Sequence, residues 1–132
     1  AEFIVRQGAR PTQDLEELWR RIVFNICVSN SDDHLRNQGF LFTEKGWLLS
    51  PAFDINPIPG STGLHLNISE SDNALDLGLA REVAEMFRVD AKKAEAIIDQ
   101  VTKAVSQWQV LAKRMGIPRP EIMQMEGVFI TN

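Results

Sequence analysis

Residues Ser29–Phe42 read SNSDDHLRNQGFLF. Asp32, Asp33, His34, Arg36 and Asn37 stand within six positions of one another, between an apolar run upstream and a second apolar run downstream. A joint between two core-facing segments needs turn formers, which Ser29, Asn30 and Ser31 supply. It does not need two carboxylates, an imidazole, a guanidinium and a carboxamide together. In the simplest account these are solvated turn residues; the rest of the chain decides whether that account suffices.

The upstream run predicts a helix. From an N-cap at Thr12, the residues Leu15, Leu18, Trp19, Ile22, Val23, Ile26 and Cys27 recur at three- and four-residue spacing, and the helix should end near Val28. The downstream run predicts a hairpin. GFLF and WLLS flank TEKG, with Gly46 supplying the turn. The segment PAFDINPIPGSTG follows, a constrained loop with three prolines. In LHLNIS, Leu64, Leu66 and Ile68 alternate with His65, Asn67 and Ser69, the pattern of a short half-buried strand.

Past residue 70 the chain reads as helical. Leu75, Leu79, Val83, Met86 and Phe87 form one stripe, capped by Asp72 or Asp76. Asp90 can cap one long helix over 91–115, whose stripe runs from Ala94 through Ile97, Ile98, Val101, Ala104, Val105, Trp108, Leu111 and Ala112 to Met115. Gly116 stands where a left-handed residue ends a helix, and Pro120 suits the first position of a last short one. The expected fold is one mainly α domain over residues 1–132, a helical bundle with a small β-hairpin carrying the polar turn.

Bulk properties narrow the classes. The 132 residues are 44% hydrophobic and 24% charged, ordinary globular values that weigh against disorder. A net charge of −4 and a pI near 5.2 give no basic footprint, so direct nucleic-acid binding is not expected. No apolar run is long enough to cross a bilayer, and no membrane association is expected. The lone Cys27 sits in IVFNICV as a small apolar residue, consistent with a reducing, cytoplasmic setting. Two histidines and one cysteine are too few for a usual zinc site.

Two features carry the polar turn beyond the solvated account. Asp32 and Asn37 have the offset D-x-x-x-x-N of a phosphotransferase catalytic loop. After the hairpin, Asp54 opens the loop in PAFDINP, and the order of catalytic loop, hairpin and metal-binding Asp is that of kinase active sites. Phosphoryl transfer needs magnesium on hard oxygen ligands, which a carboxylate and a carboxamide supply, and a second carboxylate off the metal to take the hydroxyl proton. Asp33 has the wrong offset to Asn37 and reads as a cap or surface charge.

The runs NSDDHLRNQGFLF and GWLLSPAFDINP resemble the C-terminal lobe of HipA-type serine/threonine kinases, most specifically over Asn30–Pro57. These are bacterial toxin-module kinases that pair with a small helix-turn-helix antitoxin of the HipB type. The resemblance implies a kinase C-lobe-like fold, ATP and Mg2+ as cofactors and a protein substrate. It implies Asp32 as catalytic base and Asn37 and Asp54 as magnesium ligands. His34 stands two after the catalytic Asp, where many protein kinases place a lysine, and with Arg36 it is a candidate phosphate or substrate contact. A small-molecule phosphotransferase of the aminoglycoside- or choline-kinase kind shares this logic, but it commonly carries a histidine shortly before the Asp, where residues 29–31 are Ser, Asn and Ser. A non-catalytic helical interaction module is the alternative from another class.

A kinase also needs a Gly-rich phosphate-covering loop and a strand lysine. Neither precedes Asp32. With Ala1 in place of a starting methionine, the expectation is a fragment of a longer kinase or half of a split one, inactive alone.

Overall fold

The computed structural model describes residues 1–30, 38–53, 55–59 and 76–130. Its elements are α1 (Glu2–Gln7), α2 (Pro11–Cys27), the strands β1 (Phe40–Thr43) and β2 (Gly46–Leu49), α3 (Leu77–Val83) continuing into a 3-10 turn (Ala84–Phe87), α4 (Ala91–Val105), α5 (Trp108–Arg114) and α6 (Arg119–Gln124). The domain is mainly helical with one antiparallel hairpin, as its sequence predicts.

The centre is α2. Leu15, Trp19, Val23, Ile26 and Cys27 are fully buried, and Leu18 and Ile22 pack against the same core. That stripe meets α4 through Ala94, Ile97, Ile98, Val101 and Val105, and α3 with its 3-10 turn through Leu79, Ala80, Val83 and Phe87. Burying each of the larger side chains contributes roughly 1.5–3 kcal/mol, so this three-way seam dominates the fold's stability. Trp19 also spends its one donor, giving its indole N–H to the Ala80 carbonyl at 2.8 Å and so tying α2 to α3.

Two caps follow the sequence. Asp76 accepts from the Gly78 N–H and Asp90 from the Lys93 N–H, both at 2.8 Å. Gly116 lies at φ +79, and the bonds Gly116 N–H to Lys113 and Ile117 N–H to Ala112 close α5 as a Schellman motif.

Several expectations need correction. The helix α2 starts at Pro11, whose ring suits a first helical position; Arg10 is the N-cap residue, with no side-chain cap, so Thr12 lies inside the helix. The last helix starts at Arg119, with Pro120 second. Met86 is exposed rather than part of its stripe. The segment 91–115 is not one helix, since it breaks at Ser106–Gln107. Thr102 donates its hydroxyl back to Ile98, Ser106 donates to Lys103, and the Gln107 N–H reaches the carbonyl of Ala104, three residues back. Such local bonds compete with the helical ladder and tighten it. Past the break Trp108 is half-buried, stacked on Phe129 with ring centroids 4.5 Å apart, and Leu111 and Met115 are exposed.

The hairpin pairs Phe40 with Leu49 and Thr43 with Gly46, leaving Glu44 and Lys45 as the turn. Gly46 is therefore the first residue of β2, and not the turn's centre. Its φ of +126 is a glycine conformation, and a Cβ there would stand 2.7 Å from the Gln7 carbonyl oxygen. The hairpin lies against α1: Phe3 meets the Phe40 ring edge-on at 4.8 Å, and Ala9 donates to the Trp47 carbonyl at 2.9 Å.

Candidate active site

Asp32, His34, Arg36, Asn37 and Asp54 all lie outside the described residues, as do the LHLNIS stretch, Asp72 and Leu75. What the structure gives is the frame on either side of them.

On the upstream side α2 ends at Cys27, and the chain is then pinned residue by residue. Ser29 is left-handed at φ 54. Its hydroxyl donates to the Val128 carbonyl and its own carbonyl accepts from the Ile58 N–H at 3.2 Å. Asn30 is 1% exposed, with its N–H on the Asn25 carbonyl at 2.9 Å and its carboxamide donating to the Asn25 side chain at 3.0 Å. The C-terminal segment closes over this corner, the Ile130 N–H donating to the Cys27 carbonyl at 2.7 Å.

On the downstream side, pairing continues one step past β1 and β2, because the Ser50 N–H donates to the Gly39 carbonyl at 2.8 Å. The chain leaving the polar turn and the chain entering the PAFDINP loop are thus neighbours. Two charged residues of α2 hold them. Asp14 is 2% exposed; its carboxylate accepts the Leu49 N–H at 2.9 Å and pairs with Arg10 at 3.1 Å. Arg21, about two turns further along the same face of the helix, donates to the Gln38 side-chain oxygen at 3.0 Å and to the Ser50 carbonyl. Its Nε reaches Glu17 at 3.3 Å.

Neither Asp14 nor Arg21 was marked as notable by the sequence. Charged residues on an amphipathic helix ordinarily face water. The available signal is their spacing: Asp14, Arg21 and Asn25 fall seven and four residues apart, on one face, and all three are buried. Among the described residues no group of three or more His, Cys, Asp or Glu could hold a metal ion, and no helix is long and apolar enough to cross a membrane.

The sequence matches the model of the HipA-like C-terminal domain over residues 1–108, and the chain belongs to that family. It is similar to two Sinorhizobium fredii proteins. One, "Putative kinase Y4mE", is 29% identical over 119 residues, 90% of this chain and 23% of that protein. The other, "Putative kinase Y4dM", is 28% identical over 119 residues, 81% of this chain and 28% of that protein. The chain thus spans about a quarter of the length of these relatives. No solved structure matches.

Proposed function

We propose that this chain is the C-terminal catalytic lobe of a HipA-like protein serine/threonine kinase of a toxin module, transferring phosphate from ATP with magnesium when joined to a nucleotide-gripping lobe. The observation that carries the reading is the Gly39–Ser50 pairing, clamped by Arg21. Asn37 is two residues before Gly39 and Asp54 four after Ser50. At about 3.3–3.6 Å per residue, these tethers extend at most about 7 and 14 Å. Both side chains therefore start from neighbouring anchors, as joint ligation requires.

In this reading Asp32 orients the substrate hydroxyl and accepts its proton, while the Asn37 carboxamide oxygen and the Asp54 carboxylate hold the metal. Hard oxygen donors of this kind suit magnesium, which would supply positive charge to offset that of a bound phosphate. His34 and Arg36 are candidates to contact phosphate or substrate. The partners are a protein substrate and a HipB-like helix-turn-helix antitoxin, in a cytoplasmic setting. Support comes from the family membership and from relatives named as kinases.

The test is phosphoryl transfer from labelled ATP by the longer protein that contains this lobe. Replacing Asp32 by Asn should lower turnover by about a hundredfold or more, the loss expected of a general base. Unchanged turnover removes Asp32 from the mechanism and favours a structural role for the loop. The 132-residue chain alone should fold without phosphorylating anything; robust turnover by it would overturn the assignment of a separate nucleotide lobe.

A further inference from the structure

We propose that the outer edge of β1 is a docking site for an extended, apolar segment of the full-length protein outside this lobe, added as a third strand. This rests on the reading above only in taking the lobe as part of a longer polypeptide.

The register decides which backbone groups face outward. Thr43 pairs with Gly46 across a two-residue turn, and the Ser50 N–H donates to the Gly39 carbonyl. Leu41 and Thr43 therefore turn their N–H and C=O groups toward β2, while those of Phe40 and Phe42 point away from it. Among the described residues nothing pairs with Phe40 or Phe42 on that side. The outer edge of β2 is treated differently: Ala9 donates to the Trp47 carbonyl, and the Asp14 carboxylate takes the Leu49 N–H.

The side chains along the open edge are apolar. Leu41 is 56% and Phe42 73% exposed, although consecutive strand residues point to opposite faces. A ligand on one face would cover one of them; a strand laid along the edge flanks both. Phe42 also continues an aromatic row, 4.9 Å from Trp47, which lies 6.3 Å from Phe3, itself 4.8 Å from Phe40. Edges left to water are ordinarily blunted by lysine, proline or inward charge. FLFT has none of these, and Glu44 and Lys45 sit in the turn.

The length of β1 selects the occupant. Its four residues span about 13 Å at about 3.3 Å each. Two strands this short do not reach the roughly 1,000 Å² that a specific interface between separate molecules needs, which disfavours a second copy. A segment of the same polypeptide needs far less, because tethering holds it at an effective concentration on the order of millimolar. The relatives have chain for this, since the match covers 23% and 28% of them and most of each lies outside it. The incoming strand would bond the main chain of Phe40 and Phe42 and set apolar side chains beside Leu41 and Phe42.

Hydrogen exchange on the full-length protein tests the edge. An open edge gives alternation, with the Leu41 and Thr43 amides slow and those of Phe40 and Phe42 fast. A docked strand slows Phe40 and Phe42 as well, by at least about tenfold, at every protein concentration. Alternation, or protection lost on dilution, overturns the inference. A photoreactive phenylalanine analogue at position 42 identifies the occupant. The expected product is monomer-sized, joined to a peptide outside residues 1–132; a dimer-sized product, a link within 1–132 or no link overturns the inference. Phe42→Pro removes an outward donor and no bond to β2, so the Phe40 amide should speed up while Leu41 stays slow. Should that variant not fold, Phe42→Asp takes its place, and an unchanged Phe40 rate there overturns the inference. None of these readouts uses activity. Alternation in a protein that transfers phosphate defeats the inference and leaves the kinase reading; protection in a protein that transfers none does the reverse.

Discussion

Asp14 and Leu49 are 35 residues apart in sequence, yet the Asp14 carboxylate accepts the Leu49 backbone N–H at 2.9 Å in a buried setting. That bond replaces a strand partner. On the edge of β2 away from β1, the described residues supply one isolated bridge, Gly8 to Trp47, and the Leu49 N–H would otherwise be an unpaired donor against the core. Asp14→Ala removes the acceptor and leaves the exposed Arg10 guanidinium to water. Leaving a buried donor unsatisfied costs about 1–3 kcal/mol, so urea unfolding should show a loss of that size. A loss under about 0.5 kcal/mol, the range of ordinary surface substitutions, would mean that water replaces the carboxylate freely.

The hairpin's other constraint is Gly46. Alanine there faces two costs: a φ of +126 that side chains rarely adopt, and a Cβ placed 2.7 Å from the backbone oxygen of Gln7. The backbone oxygen is not the far end of a flexible side chain, so α1 and β2 must separate. Gly46→Ala should therefore destabilise by more than the roughly 1 kcal/mol that a compatible exchange gains. Trp47 fluorescence should report the displaced contact with Phe3, whose ring centroid lies 6.3 Å away.

These two residues also mark where sequence reading succeeds and fails. Apolar spacing located α2, the hairpin and the start of α4, because each buries one regular face. It missed α1, a six-residue helix with Ile4 alone buried and Phe3 and Val5 exposed, too short to show a stripe. It ran α4 into α5 because the apolar phase continues through Trp108 to Met115, while the break is made by hydroxyl groups whose backbone partners periodicity does not register. For the site, the candidate residue types were legible in the sequence, although Asp32, Asn37 and Asp54 lie outside the described residues. The supports, Asp14 and Arg21, were not, because their partners are backbone atoms and Gln38 on another element.

Cys27 gives a prediction in pH. Its side chain is buried in the core, and burial pushes the thiol up from 9.0 to about 11. Below pH 9 the thiol is protonated in folded and unfolded chains alike, and it contributes no pH dependence. Between about 9 and 11 the unfolded chain loses its proton while the folded chain keeps it, so stability should fall as pH rises through that window. The thiolate is also the reactive form, so a thiol reagent at pH 8 should label Cys27 only after denaturant is added. Rapid labelling of the native protein would contradict its burial.

Ser29 is the point where α2 hands over to the polar stretch, three residues before Asp32. Two effects there oppose each other, and substitutions can separate them. The left-handed backbone at φ 54 costs a non-glycine residue roughly 1–2 kcal/mol. Against that, the buried hydroxyl donates to the Val128 carbonyl, holding the C-terminal segment on the end of α2. Ser29→Ala keeps the strain and loses the bond, leaving the Val128 carbonyl unsatisfied at a cost of about 1–3 kcal/mol. Ser29→Gly loses the same bond but relieves the backbone, so it should be the more stable of the two by about 1 kcal/mol. Equilibrium unfolding of the two variants checks the order. If alanine proves equal to or better than glycine, the left-handed turn is not what Ser29 supplies.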